Sequence, residues 1–259
     1  MRLSDTIHRR LPLHLAFAAA FVLLLALSGA TVGADTGRLF GNLDRAGNVI
    51  GRMLSPDWSF LPSVLPALRE TVQMAIAGTA LGTALALPVS FLATTTVSGS
   101  RVVTSAVRAV LNIIRTIPDV LVASLLVALV SIGPFTGMLA ITVFTFGFIS
   151  KLFYEAIDTI HHGPVESLAS VGATRPQIAV HAVLPQIMPN VVSYTLYVLE
   201  INVRASIVLG MVGAGGVGVP LQSAMGLTRY DRVAVIVIAV FAVVLVIDAV
   251  SAWARRRML

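Results

Sequence analysis

Residues 165–185 read VESLASVGATRPQIAVHAVLP, and long apolar runs flank this polar stretch on both sides. The run before it is GMLAITVFTFGFI at 137–149, and the run after it is VVSYTLYVLEI at 191–201. A polar stretch that contains glycine and proline between two such runs is typical of a loop that joins two membrane-spanning helices. The apolar runs therefore indicate the architecture of the chain, and the loop between them indicates its function.

The composition indicates that lipid surrounds most of the chain. Of the 259 residues, 57% are hydrophobic and 12% are charged, whereas soluble domains average about 25% charged residues. The chain has no cysteine, which excludes a disulfide framework, a thiolate metal site and a cysteine nucleophile. The net charge of +6 lies at the ends of apolar runs and is not interleaved with aromatic residues, so we expect no nucleic-acid partner.

Six apolar stretches are long enough to span a membrane, because a hydrocarbon core of about 30 Å requires about 20 apolar residues in a helix. Each stretch is too long for a barrel strand, and few of its residues alternate with a period of two. We therefore expect an all-α, polytopic membrane protein with six transmembrane helices. Gly78 and Gly82 in the second span allow another helix to approach closely. The predicted spans are 13–32, 71–96, 109–132, 137–157, 190–211 and 233–254.

The distribution of positive charge predicts that both termini lie in the cytoplasm, because cytoplasmic loops are enriched in lysine and arginine. Of the 18 such residues, ten lie in segments predicted to be inside and six in segments predicted to be outside. This orientation places residues 165–185 on the cytoplasmic side. The ten inner residues are Arg2, Arg9, Arg10, Arg101, Arg108, Lys151, Arg175, Arg255, Arg256 and Arg257. The six outer residues are Arg38, Arg45, Arg52, Arg69, Arg229 and Arg232.

The first predicted span, 13–32, has a second interpretation. The residues HRR precede it and TVGAD follows it, a pattern that also fits a secretory signal cleaved after Ala34. Its apolar run approaches full spanning length, so we expect a retained transmembrane helix. Residues 34–66 then form an outer loop on the membrane surface.

Residues 163–172 predict a short helix bounded by glycine and proline. Gly163 favours the end of the preceding helix, and Pro164 suits the first turn of the next one. Glu166 falls in that first turn, where a carboxylate meets the positive end of the helix dipole. Gly172 leaves room for the close approach of another group.

A turn and a second short helix are predicted to follow. Thr174, Arg175 and Pro176 are typical of a turn. Pro185 and Pro189 are predicted to end the second helix before the next span. The residues alone leave two interpretations open: a helix–turn–helix that docks into a groove of another protein, or a polar loop with local helical structure.

The spacing of Glu166, Gly172, Leu184 and Pro185 resembles the EAA signature of ABC importer permeases, E-A-A-x3-G-x9-I-x-L-P. The sequence departs from this signature at three positions, which hold Ser167, Leu168 and Ala182. Further blocks, from about residue 65 to the C-terminus, resemble the permease of phosphonate importers. These blocks are RTIPDV (115–120), GFISKLFYEAID (147–158), GPVESLASVGATR (163–175), VLPQIMPN (183–190), SYTLYVLEINVRAS (193–206) and VGAGGVG (212–218).

The resemblance implies the membrane subunit of a type I importer. The single permease domain, 1–259, then has an N-terminal span and outer loop at about 1–65, a core at about 66–259 and a cytoplasmic coupling loop at 163–186. The implied assembly in a prokaryotic cell membrane has two copies of this chain, two ATPase subunits that bind ATP and Mg²⁺, and an extracytoplasmic phosphonate-binding protein. No cofactor or metal is expected on this chain. The implied ATPase-coupling residues are Glu166, Leu168, Ala169, Gly172, Ala173, Arg175, Leu184 and Pro185.

The fifth span and the segment after it supply candidates for the translocation path. Glu200 and Arg204 lie one helical turn apart, so they either neutralise each other structurally or act on a passing anion. In the second case Arg204, with Asn202 nearby, attracts the anion and Glu200 keeps it from binding too tightly. Arg115 and Asp119 have the same spacing and are expected to pair. The candidate path residues are Glu200, Asn202, Arg204, Ser206, Gly213, Gly215 and Gly216.

The sequence predicts no catalytic site. It contains no G-x4-G-K-[ST] loop, and residues 213–218 fit G-x-G-x-x-G only formally, without a preceding strand. An intramembrane serine protease requires a histidine at membrane depth, whereas all five histidines lie at or beyond the ends of predicted spans. Two alternatives stay open: a permease for an amino acid or another anion, and a stand-alone secondary transporter. The EINVRAS block has no second copy that would support the inverted repeats of many secondary transporters.

Overall fold

The computed structural model describes residues 11–33, 37 and 41–258, and every regular element in this part of the chain is a helix. Two compact units divide the chain, residues 1–51 and 52–259. This boundary falls ahead of residue 65, where the resemblance placed the end of the N-terminal region. Outside the described residues lie Arg2, Arg9, Arg10, Arg38 and the Ala34 cleavage position.

The first unit contains an apolar helix, α1 (Leu11–Val32). Its residues are apolar around the whole circumference, which is typical of a helix surrounded by lipid. Within it, Leu13–Val32 has the length and hydropathy of a membrane span, as predicted for 13–32. Along the chain, α2 (Leu43–Met53) follows, with Asp44 in its first turn and Arg52 in its last, where both charges complement the helix dipole.

In the second unit, long apolar helices alternate with short segments. The long helices are α3 (Leu61–Leu92), α5 (Arg101–Thr116), α6 (Asp119–Val130), α7 (Pro134–Asp158), α10 (Leu184–Leu209) and α12 (Tyr230–Met258). The short helices are α4 (Thr95–Ser98), α8 (Gly163–Ser170), α9 (Arg175–Ile178) and α11 (Gly218–Gly226). A 3₁₀ turn lies at Trp58–Phe60, and π-helical turns lie at Ala179–Val183 and Gly210–Ala214.

Five helical segments of the described chain are long and apolar enough to cross a membrane, and a bent pair makes a sixth if it counts as one span. The predicted all-helical membrane architecture is therefore confirmed. The bent pair consists of α5 and α6, whose axes differ by 84°. The prediction of one uninterrupted helix over 109–132 is wrong.

Pro118 explains the bend between α5 and α6. A proline has no N–H to donate, and it forces the residue before it out of the α region. Ile117 accordingly has extended backbone angles, φ −79° and ψ 122°, at the end of α5. The Pro118 carbonyl then accepts hydrogen bonds from the N–H groups of Leu121 and Val122, at 3.0 and 3.2 Å. A new helix therefore starts at the proline in a new direction.

Pro185 and Pro189 do not end a helix, so that prediction is wrong. The chain is helical over residues 175–209, and the helix continues through both prolines. Pro185 lies in the first turn of α10, directly after the π-helical turn at Ala179–Val183, where the backbone hydrogen bonds already depart from the α-helical pattern. Pro189 lies inside α10. The polar segment and the fifth span are therefore parts of one helical segment.

Helices α3 and α7 form the most extensive helix pair of the second unit. A Cβ atom on Gly78 would lie 2.7 Å from Cγ2 of Ile141, and a Cβ atom on Gly82 would lie 2.6 Å from Cβ of Thr145. Alanine at either position would therefore force the two helices apart. The glycines allow the close helix approach that their spacing predicted, and they do so within one subunit.

An ionic cluster joins the residues before α3 to the start of α12. The Arg232 Nε lies 3.4 Å from the Asp57 Oδ2, and an Arg229 nitrogen lies 3.8 Å from the same oxygen. The Ser59 hydroxyl donates a hydrogen bond to the Asp57 carboxylate. The Arg232 guanidinium also lies 4.7 Å from the centre of the Phe60 ring. The Ser59 hydrogen bond and then Arg232 hold the pKa of the Asp57 carboxyl below its usual value.

Candidate functional site

The helix predicted to begin at Gly163 is α8, and its first turn contains Pro164 and Glu166. Pro164 fits there because the first N–H groups of a helix have no partner inside the helix. The Glu166 carboxylate is exposed and lies at the positive end of the helix dipole. Glu166 therefore lies in the first turn, as predicted, and its side chain is accessible to a partner.

Helix α8 ends in a Schellman motif. The Gly172 N–H donates to the Ala169 carbonyl at 3.1 Å, and the Ala173 N–H donates to the Leu168 carbonyl at 3.0 Å. Gly172 has φ +81°, a left-handed conformation that glycine adopts without strain. Among the described residues, no atom lies within 4 Å of the position that a Cβ of Gly172 would occupy. Gly172 is therefore needed for the turn, and its outer side is open.

The predicted turn at residues 174–176 is instead the start of α9. Thr174 has extended backbone angles and caps the helix, and its N–H donates to the Gln177 Oε1 at 2.7 Å. Arg175 is the first helical residue, and Pro176 lies in the first turn. The sequence did not distinguish a turn from a helix start, because threonine and proline favour both.

The eight residues implied for ATPase coupling divide into two groups. Leu168, Ala173 and Leu184 face inward and are only partly exposed. They pack against a cluster of buried apolar residues that includes Ile157 and Val183, and thereby anchor the loop on the long helices. The exposed group, which a partner can reach, comprises Glu166, Ala169, Gly172, Arg175 and Pro185.

Two side chains brace the loop that α8 and α9 form. The Arg175 guanidinium donates to the Ser98 carbonyl at the end of α4 and lies where a Cβ of Gly99 would be. The Gln186 side chain forms two hydrogen bonds with the backbone of His161. Its Oε1 accepts from the His161 N–H at 3.1 Å, and its Nε2 donates to the His161 carbonyl at 3.3 Å. The loop is therefore fixed to two other segments. The partner of Arg175 lies 77 residues away in sequence, so spacing within the loop did not reveal it.

Val171 was not among the implied coupling residues, yet it lies at the outer end of α8 and is 77% exposed. Together with Glu166, Ala169 and Gly172 it forms a surface that we call the coupling tip. An exposed apolar group and an exposed carboxylate on one braced loop have the chemistry of an element that enters a groove of a partner protein.

Asn202, a candidate path residue, lies at the centre of the helix packing. It is 0% exposed, and its Nδ2 donates to Oγ1 of Thr79 on α3 and to Oγ1 of Thr145 on α7, both at 2.8 Å. Ser206 is also fully buried, and its hydroxyl donates to the Val203 carbonyl of its own helix at 2.8 Å. Asn202 therefore connects three helices, and neither residue lies on an open surface.

Glu200 and Arg204 form the predicted ion pair along α10. The Arg204 side chain is 53% exposed, whereas that of Glu200 is 18% exposed. Successive residues of an α-helix are rotated by about 100°, so Asn202 and Arg204 lie on roughly opposite faces. The expectation that Asn202 lies beside Arg204 on one path is therefore wrong. The ion pair alone stays a candidate for the path.

The glycines after α10 form a tightly packed break in the helix. Gly213, Gly215 and Gly216 have φ of +96°, +82° and +70°, which glycine adopts most easily. A Cβ on Gly215 would lie 2.8 Å from the Pro134 nitrogen. The Gly216 N–H donates to the Glu70 Oε2 at 2.9 Å. The segment is therefore held between α3 and α7, and the sequence analysis missed Glu70 as its anchor.

The second unit is a helical bundle of up to five spans, with a braced docking loop at one end of α10 and a glycine break at the other, and this is the architecture of an ABC importer's membrane subunit. The inward-facing MetNI methionine ABC transporter contains a chain that superposes with a TM-score of 0.69 at 25% identity. The match covers 78% of this chain and 99% of that one. The fold is thus that of a type I ABC importer permease.

Residues 78–259 match the family described as binding-protein-dependent transport system inner membrane component, and the chain belongs to this family of multi-pass inner-membrane proteins. A phosphite transport system permease protein of Stutzerimonas stutzeri is 36% identical over 222 residues, which cover 86% of this chain and 81% of that protein. A phosphate-import permease protein of Mycolicibacterium smegmatis is 36% identical over 211 residues, which cover 81% of this chain and 40% of that protein. The resemblance to importer permeases is confirmed.

Proposed function

We propose that this chain is the permease subunit of an ATP-driven importer for a phosphorus oxyanion: phosphonate, phosphite or a phosphate ester. Sequence similarity supports this substrate class. The blocks at 147–158, 193–206 and 212–218 resemble phosphonate permeases, and two relatives of the chain are named for phosphite and phosphate. An extracytoplasmic binding protein selects the oxyanion and delivers it to the outer side of the permease.

The braced loop is the observation that most directly supports an ATPase partner. The coupling tip presents Val171 and Glu166 outward, while Arg175 and Gln186 fix the loop to the helices behind it. In the proposed assembly, two copies of the chain enclose the path and each coupling tip docks in one ATPase subunit. The ATPase subunits bind ATP and Mg²⁺, and their closure moves the two permease copies as rigid bodies between inward- and outward-facing states.

Reconstitution into proteoliposomes tests this function. Vesicles that contain the chain, its ATPase and its binding protein are expected to import radiolabelled phosphite only when ATP is supplied on the ATPase side. The chain alone is expected to hydrolyse no ATP above a mock purification, because its sequence contains no nucleotide-binding loop. ATP turnover by the chain alone would contradict the permease function. Uptake into vesicles that lack the ATPase would identify a secondary transporter.

A permease for an amino acid is the second candidate, because the fold match is to a methionine transporter. Competition separates the two candidates. Unlabelled methylphosphonate, phosphite and phosphate are expected to reduce uptake of the radiolabelled phosphite, whereas methionine is expected to have no effect. Stimulation of ATP hydrolysis by methionine, with no stimulation by the three oxyanions, would favour the amino-acid permease.

A further inference from the structure

The bend between α5 and α6 borders a cavity of about 340 Å³. Its charged lining residues are Arg115 and Asp119. Its apolar wall includes Phe144 and Phe148 on α7, whose rings are stacked with centres 5.6 Å apart. Small-molecule sites measure about 300–1,000 Å³ and combine a mostly apolar lining with a few polar groups. The cavity has the size and the lining of such a site.

Arg115 and Asp119 do not neutralise each other, so the expected pairing is wrong. Their four-residue spacing places them on one face only in an uninterrupted helix, and the chain turns by 84° between them. Asp119 is instead the first residue of α6, where its Oδ1 accepts from the Val120 N–H at 2.9 Å. Among the described residues, the ion pairs do not include Arg115.

The position of Arg115 is deep within the span. The Arg115 Cγ lies 3.1 Å from the place where a Cβ of Gly147 would be, so the side chain crosses α7 at that glycine. Gly147 is near the middle of α7, with 13 residues before it and 11 after it. An ionisable side chain at the middle of a span is costly, and it marks an ion or substrate pathway by default.

We propose that this cavity holds the phosphorus oxyanion during passage and that Arg115 is the cation that binds it, an inference that rests on the proposed function. A guanidinium group matches a phosphorus oxyanion because its N–H groups form a planar fork that donates two parallel hydrogen bonds. Arg204 is the other candidate arginine within a span, and it already forms an ion pair with Glu200. Within the part of the chain that the structure describes, Arg204 thus has an ion-pair partner and Arg115 has none.

Asp119 gives the same cavity a means of release. A pathway site must attract its ion and also let it leave, so very tight binding would stop transport. Asp119 lines the cavity at the start of α6, and its negative charge weakens the attraction that Arg115 exerts on an anion. Asp119→Asn is therefore expected to lower the KM for substrate and to reduce the maximal rate.

Uptake of radiolabelled phosphite by the complete transporter in proteoliposomes tests the proposal. Arg115→Gln is expected to reduce uptake at least about tenfold, because the anion loses its charged partner. Arg101→Gln is the matched control, since it removes the same charge from the same helix at its exposed first residue, away from the cavity. Uptake by the control is expected to stay within about twofold of wild type.

The outcomes distinguish a failure of the proposed function from a failure of the proposed role of Arg115. A wild-type complex that imports none of phosphite, phosphate and methylphosphonate overturns the proposed function. A wild-type complex that imports phosphite, together with an Arg115→Gln complex that imports it equally well, overturns the role of Arg115 and leaves the proposed function standing.

Loss of folding in Arg115→Gln is recognised by copurification with the ATPase. If this variant does not assemble, the test uses Arg115→Lys, which keeps the positive charge and loses the planar fork. A raised KM for phosphite in the assembled Arg115→Lys complex supports the proposal. An unchanged KM, with uptake lowered only in proportion to assembly, contradicts it.

Discussion

The Glu70 carboxylate accepts a hydrogen bond from the Gly216 N–H at 2.9 Å, although 146 residues separate the two in sequence. Next to it, the Val217 N–H donates to the Thr71 hydroxyl at 2.8 Å. Two consecutive residues of α3 therefore hold two consecutive N–H groups of the glycine break. Such an arrangement satisfies backbone groups that an interrupted helix leaves without partners.

Glu70→Ala is expected to destabilise the protein, because it leaves the buried Gly216 N–H without an acceptor. A buried N–H group without an acceptor lowers the free energy of unfolding by about 1–3 kcal/mol. Glu70→Gln is the control, since its side-chain oxygen still accepts the hydrogen bond. Thermal unfolding in detergent is expected to give a lower Tm for Glu70→Ala than for Glu70→Gln. Equal Tm values for the two variants would contradict the anchoring role.

Val171→Asp is expected to uncouple transport from ATP hydrolysis. A carboxylate at the apolar part of the coupling tip has no partner when it enters an ATPase groove, so its desolvation weakens docking. We expect substrate-stimulated ATP hydrolysis and phosphite uptake to fall more than about tenfold, which is typical of a residue that dominates an interface. Gly172 is a poorer target, because its φ of +81° strains any replacement whether or not it contacts a partner.

Val102→Asp is the matched control for Val171→Asp. Val102 is also apolar and is 79% exposed, but it lies in the first turn of α5 and outside the docking loop. An aspartate is favourable there because it meets the positive end of the helix dipole. Uptake by this variant is expected to resemble wild type. Equal losses in both variants would show that added charge, and not the coupling tip, is responsible.

Asn202→Val is expected to loosen the contact among α3, α7 and α10. It removes the two hydrogen bonds to Thr79 and Thr145, and bonds between membrane helices contribute about 0.6 to 2 kcal/mol each. Ser206→Ala removes a buried hydroxyl that bonds only within its own helix, so we expect a much smaller change in Tm. Similar Tm values for both variants would refute the connecting role of Asn202.

The Glu200–Arg204 pair is tested by removing both charges at once. A charge at the centre of a span costs at least about 2.5 kcal/mol. A single substitution would leave the other charge of the pair without a partner. The double variant Glu200→Gln with Arg204→Gln is expected to assemble with the ATPase and to lose about tenfold in uptake, equivalent to about 1.4 kcal/mol. This result follows if Arg204 adds positive potential to the path. Uptake near wild type in the assembled variant would leave the pair a purely structural role.

The ionic cluster around Asp57 predicts that the stability of the protein depends on pH. Folding lowers the pKa of this carboxyl, so ionised Asp57 stabilises the folded state. This contribution to the free energy of unfolding is fully present at pH values above the ordinary pKa of about 3.9. The contribution is lost as the pH falls through the lowered pKa. The Tm difference between wild type and Asp57→Asn is therefore expected to shrink from pH 7 to about pH 3. A difference that stays constant would exclude titration of Asp57 as its source.

Most of the helical architecture could be predicted from apolar length, because lipid permits few alternatives to a helix. Breaks within helices were harder to predict. Pro118 bends a predicted span, whereas Pro185 and Pro189 lie in a continuous helical segment. The difference depends on the π-helical turn at Ala179–Val183, which has no strong sequence signal.

The candidate site shows the same division between local and distant interactions. The acidic first turn at Glu166 follows from residues close in sequence and was predicted. The left-handed conformation of Gly172 is equally local, although this glycine was predicted only to leave room for another group. The brace from Arg175 to Ser98 and the anchor at Glu70 join distant segments, which a single sequence does not reveal. The pairing of Arg115 with Asp119 failed for a related reason, because the spacing rule assumes an unbroken helix.

The helical segment 175–209 is about 50 Å long at about 1.5 Å per residue, well over the thickness of a hydrocarbon core. Within it, Asn202 lies 27 residues from Arg175 and donates hydrogen bonds to α3 and α7. A single run of helix therefore connects the docking loop to the interior of the bundle. In the proposed assembly, a push on the loop is transmitted along this helix to α3 and α7, so the three helices move together as one body.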